Sequence, residues 1–156
     1  MRSRPVIQTL LIMLWVLTSG LLLWVGNAAI AAPAPDLTRQ PAVEVKVHLS
    51  DATNALKFFP DHLDLVPGRR YQLVLDNPST TKHYFTAKDF ADGIWTQKVE
   101  AGNVEIKGAI HELELKPGAI AAWVFVPMKA GQYELHCAIP GHTEAGMVGE
   151  LTIAAR

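Results

Sequence analysis

Between Ala42 and Ile153 apolar residues recur at every second position, in short bursts that Gly, Pro or Asn cut off. In "AVEVKVHL", Val43, Val45, Val47 and Leu49 alternate with Glu44, Lys46 and His48, the period of a half-buried strand. "HLDL" precedes a Pro67-Gly68 turn, after which Tyr71, Leu73 and Leu75 alternate as far as Asn77-Pro78. "KHYFTA", "HELEL" before Pro117-Gly118, the continuous "AIAAWVFVP", "QYELHC" after "MKAG", and "MVGELTI" complete the set. No stretch keeps a helical period long enough for a bundle. About seven or eight short strands separated by turns predict an all-β domain over residues 42–156, a Greek-key antiparallel two-sheet sandwich. Lys88 to Gly108 follows neither period. A short helix or a flap over the sandwich is expected there, with Trp95 as its packing anchor and Trp123 in the core.

The N-terminus obeys a different grammar. Arg2 and Arg4 are followed by a run, Pro5 to Pro35, without one charged side chain, ending in "NAAIAAPAP". A basic start, an apolar middle and small residues at Ala29-Ile30-Ala31 make residues 1–31 a secretory signal. The apolar part, residues 6–25, is also long enough to span a bilayer as an uncleaved anchor. Both readings export the remainder, to a periplasm or a thylakoid-lumen type of compartment. Residues 32–41 read as a flexible lead-in. Without Arg2 and Arg4, 12 of the 14 basic residues face 15 acidic ones, a net of −3. That mild charge argues against a nucleic-acid partner.

An exported chain whose only cysteine is Cys137 makes no internal disulfide. Its thiol is buried, reactive or occupied. The surrounding segment, "ELHCAIPGHTEAGMVGEL", places His142 and Met147 at equal steps after it, in a stretch too rich in Gly and Pro for a helix. Cys137 ends one predicted strand and Met147 begins the next, so sheet edges hold both ends of the loop. Thiolate, imidazole and thioether are soft ligands that select copper over magnesium or calcium. Two imidazoles and a thiolate with a weak axial methionine make an electron-transfer site, which leaves one imidazole to find. His48 falls on the polar side of its strand, His62 in an Asp-bearing turn, and His136 on the face opposite Cys137. His83, at a strand start beside the "NPSTTK" turn, and His111, in phase with Leu113 and Leu115, stay open on position alone.

"ELHCAIPGHTEAGMVGELTI" resembles the C-terminal ligand loop of the cupredoxins, the single-domain blue copper proteins. The Cys-x4-His-x4-Met step is most similar to the auracyanin and rusticyanin variants. "LDLVPGRRYQLVLDNPSTTKHYF" resembles the family's earlier block, which ends on the first histidine ligand. The resemblance runs roughly from Val43 to Ile153. It implies one copper ion cycling between Cu(I) and Cu(II), held by His83, Cys137 and His142 with Met147 axial. Many relatives have an asparagine directly after the first histidine; this chain has Tyr84, whose backbone N–H is placed to reach the sulfur.

The resemblance also implies an electron carrier rather than a catalyst. Around His142, the small or apolar Ala138, Ile139, Pro140 and Gly141, with His136 on the rim, suit brief docking by a c-type cytochrome or a membrane oxidoreductase complex. The alternative is a periplasmic copper-binding protein for delivery, storage or resistance.

Overall fold

The computed structural model describes residues 36–155. The expected signal or anchor, residues 1–31, lies outside them. Of the lead-in, Asp36 to Pro41 is described, and its Gln40 carbonyl accepts a hydrogen bond of 2.9 Å from Arg70 Nη1. Among the described residues no helix is long and apolar enough to cross a membrane.

Eleven strands and one short helix follow: β1 (Val43–Leu49), β2 (Phe58–Phe59), β3 (His62–Leu65), β4 (Tyr71–Asp76), β5 (His83–Thr86), α1 (Lys88–Asp92), β6 (Ile94–Ala101), β7 (Val104–Ile106), β8 (Glu112–Leu115), β9 (Ile120–Pro127), β10 (Gly131–His136) and β11 (Val148–Ile153). They form a two-sheet sandwich with strand orders β2-β1-β4-β9-β6-β7 and β3-β11-β10-β5-β8. Most neighbours are antiparallel, but β1 pairs with β4 and β3 with β11 in parallel. Parallel neighbours require a crossover. After β2 the chain visits the second sheet as β3 before returning as β4, so β1 and β4 run the same way.

Alternation places one face of each strand inside. Val47, Leu49, Leu73, Leu75, Trp123 and Phe125 face Leu63, Phe85, Leu135, Leu151 and Ile153 across the core, all buried. Edge-to-face aromatic pairs fill the middle, Phe90 meeting Phe125 at 5.4 Å and Tyr133 at 5.8 Å, a favoured geometry beyond simple burial. The stretch from Lys88 to Gly108 supplies α1, β6 and β7. Its packing anchor is Phe90, wholly buried, and not Trp95, which is 43% exposed. The cause is a bulge in β6 between Thr96 and Lys98. The extra residue lets Thr96 and Val99 both oppose inward residues of β9, while Trp95 falls on the outer side. Trp123 is in the core as expected, its indole N–H donating to Thr96 Oγ1 at 3.1 Å.

The strands define two poles. At one lie the loops leaving β4 and β10, with Asn77 to Lys82 and Cys137 to Met147. At the other lie the turns Val66–Arg70 and Met128–Ala130, the end of α1, and the entry of the lead-in into β1. From Gly131 at the start of β10 to Cys137 is six residue steps, about 20 Å.

Candidate metal centre

The ladder of β10 and β11 pairs His136 with Val148, so Cys137 and Met147 stand opposite one another as its next step. The Cys137 N–H donates to the Met147 carbonyl at 3.1 Å. Directly opposed residues share a face of the sheet, and both side chains are wholly buried. On the next strand, His83 has the parity of Phe85 and is likewise 0% exposed. Thus β5 and the end of β10 bring His83 and Cys137 together from residues 54 apart in sequence.

His142 comes from the loop itself. Its N–H donates to the Ile139 carbonyl at 3.0 Å, and its own carbonyl accepts from the Met147 N–H at 2.9 Å. Thr143 Oγ1 donates to the Cys137 carbonyl at 3.0 Å. Gly141 and Gly146, at φ of 87° and 99°, make the two reversals that fold the loop back, a conformation open to glycine at little cost. The loop therefore has its own bonds besides the clamp at its ends.

Cys137 Sγ lies 3.5 Å from His142 Nδ1 and 3.9 Å from His83 Nδ1, and the three ligand atoms are all within 4.8 Å of one another. A small cation with bonds of about 2.0 Å to nitrogen and 2.3 Å to sulfur, set at trigonal angles, separates N from S by about 3.7 Å. The two observed distances bracket that value. A thiol proton can serve only one of the two nitrogens, whereas one cation satisfies all three atoms. The donor set thus fits copper.

Neighbouring groups hold these ligands in place. The Tyr84 N–H points at Cys137 Sγ, 3.4 Å away, as the sequence anticipated. Thr81 Oγ1 sits 3.2 Å from His83 Nε2, fixing the ring so that Nδ1 faces the sulfur, an outer partner typical of ligating histidines. Burial holds the His83 imidazole below its ordinary protonation range, and the nearby His142 adds to that. A neutral imidazole is the form that ligates.

The support beneath His83 lies in the turn that follows β4, where the roles of the Asn77 and Ser79 side chains were not read from the sequence. Asn77, 1% exposed, donates through Nδ2 to the carbonyls of Thr81 and Leu115, both at 2.8 Å. Its Oδ1 accepts from the N–H and hydroxyl of buried Ser79. Asn54 accepts from the Thr80 N–H and hydroxyl across the pole. An asparagine ahead of a proline in a polar turn was the available signal.

Of the other histidines, His48 is paired with Asp76 at 2.6 Å and His62 lies among Asp64 and Glu150, both partly exposed. His111 is bonded to Asp92 at 2.7 Å, away from the site. His136 lies on the outer face beside Glu134. Ala138, Pro140 and Gly141 are exposed around His142, and Ile139 is half-buried.

The chain is similar in sequence and fold to known copper proteins. The sequence model of the copper binding proteins, plastocyanin/azurin family, matches residues 43–154. The copper-resistant cuproprotein CopI of Rubrivivax gelatinosus is 29% identical over a 118-residue alignment that covers 70% of this chain. The chain spans 65% of that relative's length. Reduced auracyanin from Roseiflexus castenholzii has a similar fold, with a TM-score of 0.52 and 18% identity over 74% of this chain and 100% of that one. So does the copper-containing nitrite reductase of Thermus scotoductus, at 0.56 and 17% over 76% of this chain and 32% of that one. With His83, Cys137, His142 and Met147 forming a candidate type 1 copper site, the chain belongs to the plastocyanin/azurin family of copper binding proteins.

Proposed function

We propose that this chain is an exported carrier of single electrons, passing them between redox partners through one type 1 copper rather than catalysing a reaction. The observation that carries the reading is the convergence of two imidazole nitrogens and a buried thiol, with the Thr81 hydroxyl on the His83 ring, the Tyr84 N–H on the sulfur and His142 set by the backbone bonds of its loop. Copper bound there supplies a one-electron couple between Cu(I) and Cu(II). Ligands fixed in this way need not move when the charge changes, which keeps reorganisation small. The Tyr84 N–H on the sulfur withdraws electron density from the thiolate, and hydrogen bonding at that atom is one of the levers on potential. Burial of Cys137 and Met147 excludes water from the site.

His142 is the part of the ligand set nearest solvent. The small residues Ala138, Pro140 and Gly141, with Ile139, form a weakly hydrated rim for brief docking, and His136 flanks it. A c-type cytochrome or a membrane oxidoreductase complex is the partner class such a patch suits.

A second reading, copper handling for resistance, is favoured by the name of the Rubrivivax relative. The two differ in how the metal is held. Voltammetry of the copper-loaded chain, with a strong cuprous chelator added afterwards, separates them. A reversible one-electron wave with slow copper loss supports the carrier. Rapid loss to the chelator without a reversible wave overturns it in favour of handling.

A further inference from the structure

The pole opposite the ligands carries features that the copper site does not use. Val66, Trp95 and Met128 are 51%, 43% and 49% exposed, and backbone bonds gather their segments. The Gly68 N–H donates to Pro127 at 2.8 Å, those of Met128 and Lys129 to Gly93 at 3.0 and 2.9 Å, and Trp95 stands opposite Val126 in the sheet. Exposed Arg69 and Lys129 lie in the same turns, and among the described residues neither is in an ion pair. Of the acidic groups nearby, Asp36 pairs with Arg39 and Asp92 with Lys88 and His111, while exposed Asp89 stands 3.8 Å from Lys88.

The lead-in arrives at this pole as well. Gln40 is bonded to Arg70, Arg70 to Gln97, and the Val43 N–H to the Arg70 carbonyl. Immediately before it the sequence is uncharged from Pro5 to Pro35. Trp favours the boundary between water and lipid, and Arg or Lys heads reach headgroup phosphates from apolar stems.

We propose that this pole is a bilayer-contacting surface, with Trp95, Met128 and Val66 at the acyl boundary and Arg69 and Lys129 on anionic headgroups. On a bilayer the domain then stands with its ligand loop about 20 Å farther out, facing the aqueous side where a soluble partner arrives.

The test uses the full chain with Trp15→Phe and Trp24→Phe, leaving Trp95 and the buried Trp123 as emitters. It is reconstituted into phosphatidylcholine–phosphatidylglycerol vesicles with plain or acyl-brominated lipid. The proposal expects a loss of emission in brominated vesicles that Trp95→Phe removes and that the Arg69→Glu, Lys129→Glu pair weakens. Equal emission in both vesicle types, quenching unaffected by Trp95→Phe, or a chain that does not float with the vesicles would overturn it.

Discussion

The two poles of the sandwich differ in what they bury and in which exposed groups they gather. At the ligand pole polar side chains are inside: His83, Asn77 and Ser79 are all at most 3% exposed, and each has a partner within hydrogen-bond reach. At the opposite pole Val66, Trp95 and Met128 are outside, beside two cations that lack counterions among the described residues. Exposed apolar groups are not confined to it, since Ile120 and Val148 near the ligand pole are exposed as well. Burying a polar group is costly unless it is bonded, so the first departure needs a network built to hold it. Exposing an apolar group costs little by itself, so the second needs a reason only because the groups are gathered. Departures from local rules concentrate where a fold does something besides fold.

The largest effect is expected from Asn77→Ala. It strips the Leu115 and Thr81 carbonyls and the Ser79 N–H of partners inside the ligand pole. A loss of about 1–3 kcal/mol is predicted, read from urea unfolding of the metal-free chain. An unchanged midpoint would break the comparison, because the buried network would then hold nothing.

A smaller, pH-dependent effect follows from His83, whose imidazole is held below the ordinary value of 6.5, first by burial and then by the His142 charge. The unfolded chain takes up a proton there near pH 6.5 that the folded chain accepts only at lower pH. Metal-free stability is therefore full above that value. It falls as pH drops towards the folded value and levels off below it. Urea midpoints measured through this window should show the slope, and a flat profile would contradict the buried placement of His83.

The smallest effect sharpens the other side. Trp95→Ser at the opposite pole should change stability by no more than about 0.5 kcal/mol, in the same unfolding assay. A loss as large as that of Asn77→Ala would mean the indole belongs to the core.

Much of this was legible before any coordinates. Strict alternation revealed β1, β4 and β11, and the even steps from Cys137 to His142 to Met147 marked the ligand loop. His83 was legible only with the help of the resemblance, since position left His111 in play and a distant partner has no spacing to read. Alternation reports which face a residue takes, but not strand direction, so the parallel pairs of β1 with β4 and β3 with β11 stayed hidden. In β6 the bulge at Gln97 reverses the phase halfway along, which hid the strand and put Trp95 on the wrong side. Two-residue β2 is too short to carry a period. Hydroxyl and amide contacts such as Thr81 to His83 depend on side-chain reach across a turn, which sequence spacing alone does not specify.

The most direct measurement is the optical and electron-paramagnetic spectrum of the chain loaded with cupric ion, beside Cys137→Ser. The account predicts an intense visible thiolate-to-copper band with narrow copper hyperfine splitting, both lost in the variant. A pale spectrum that Cys137→Ser leaves unchanged would show that the sulfur does not bind copper, and the site described here would be contradicted.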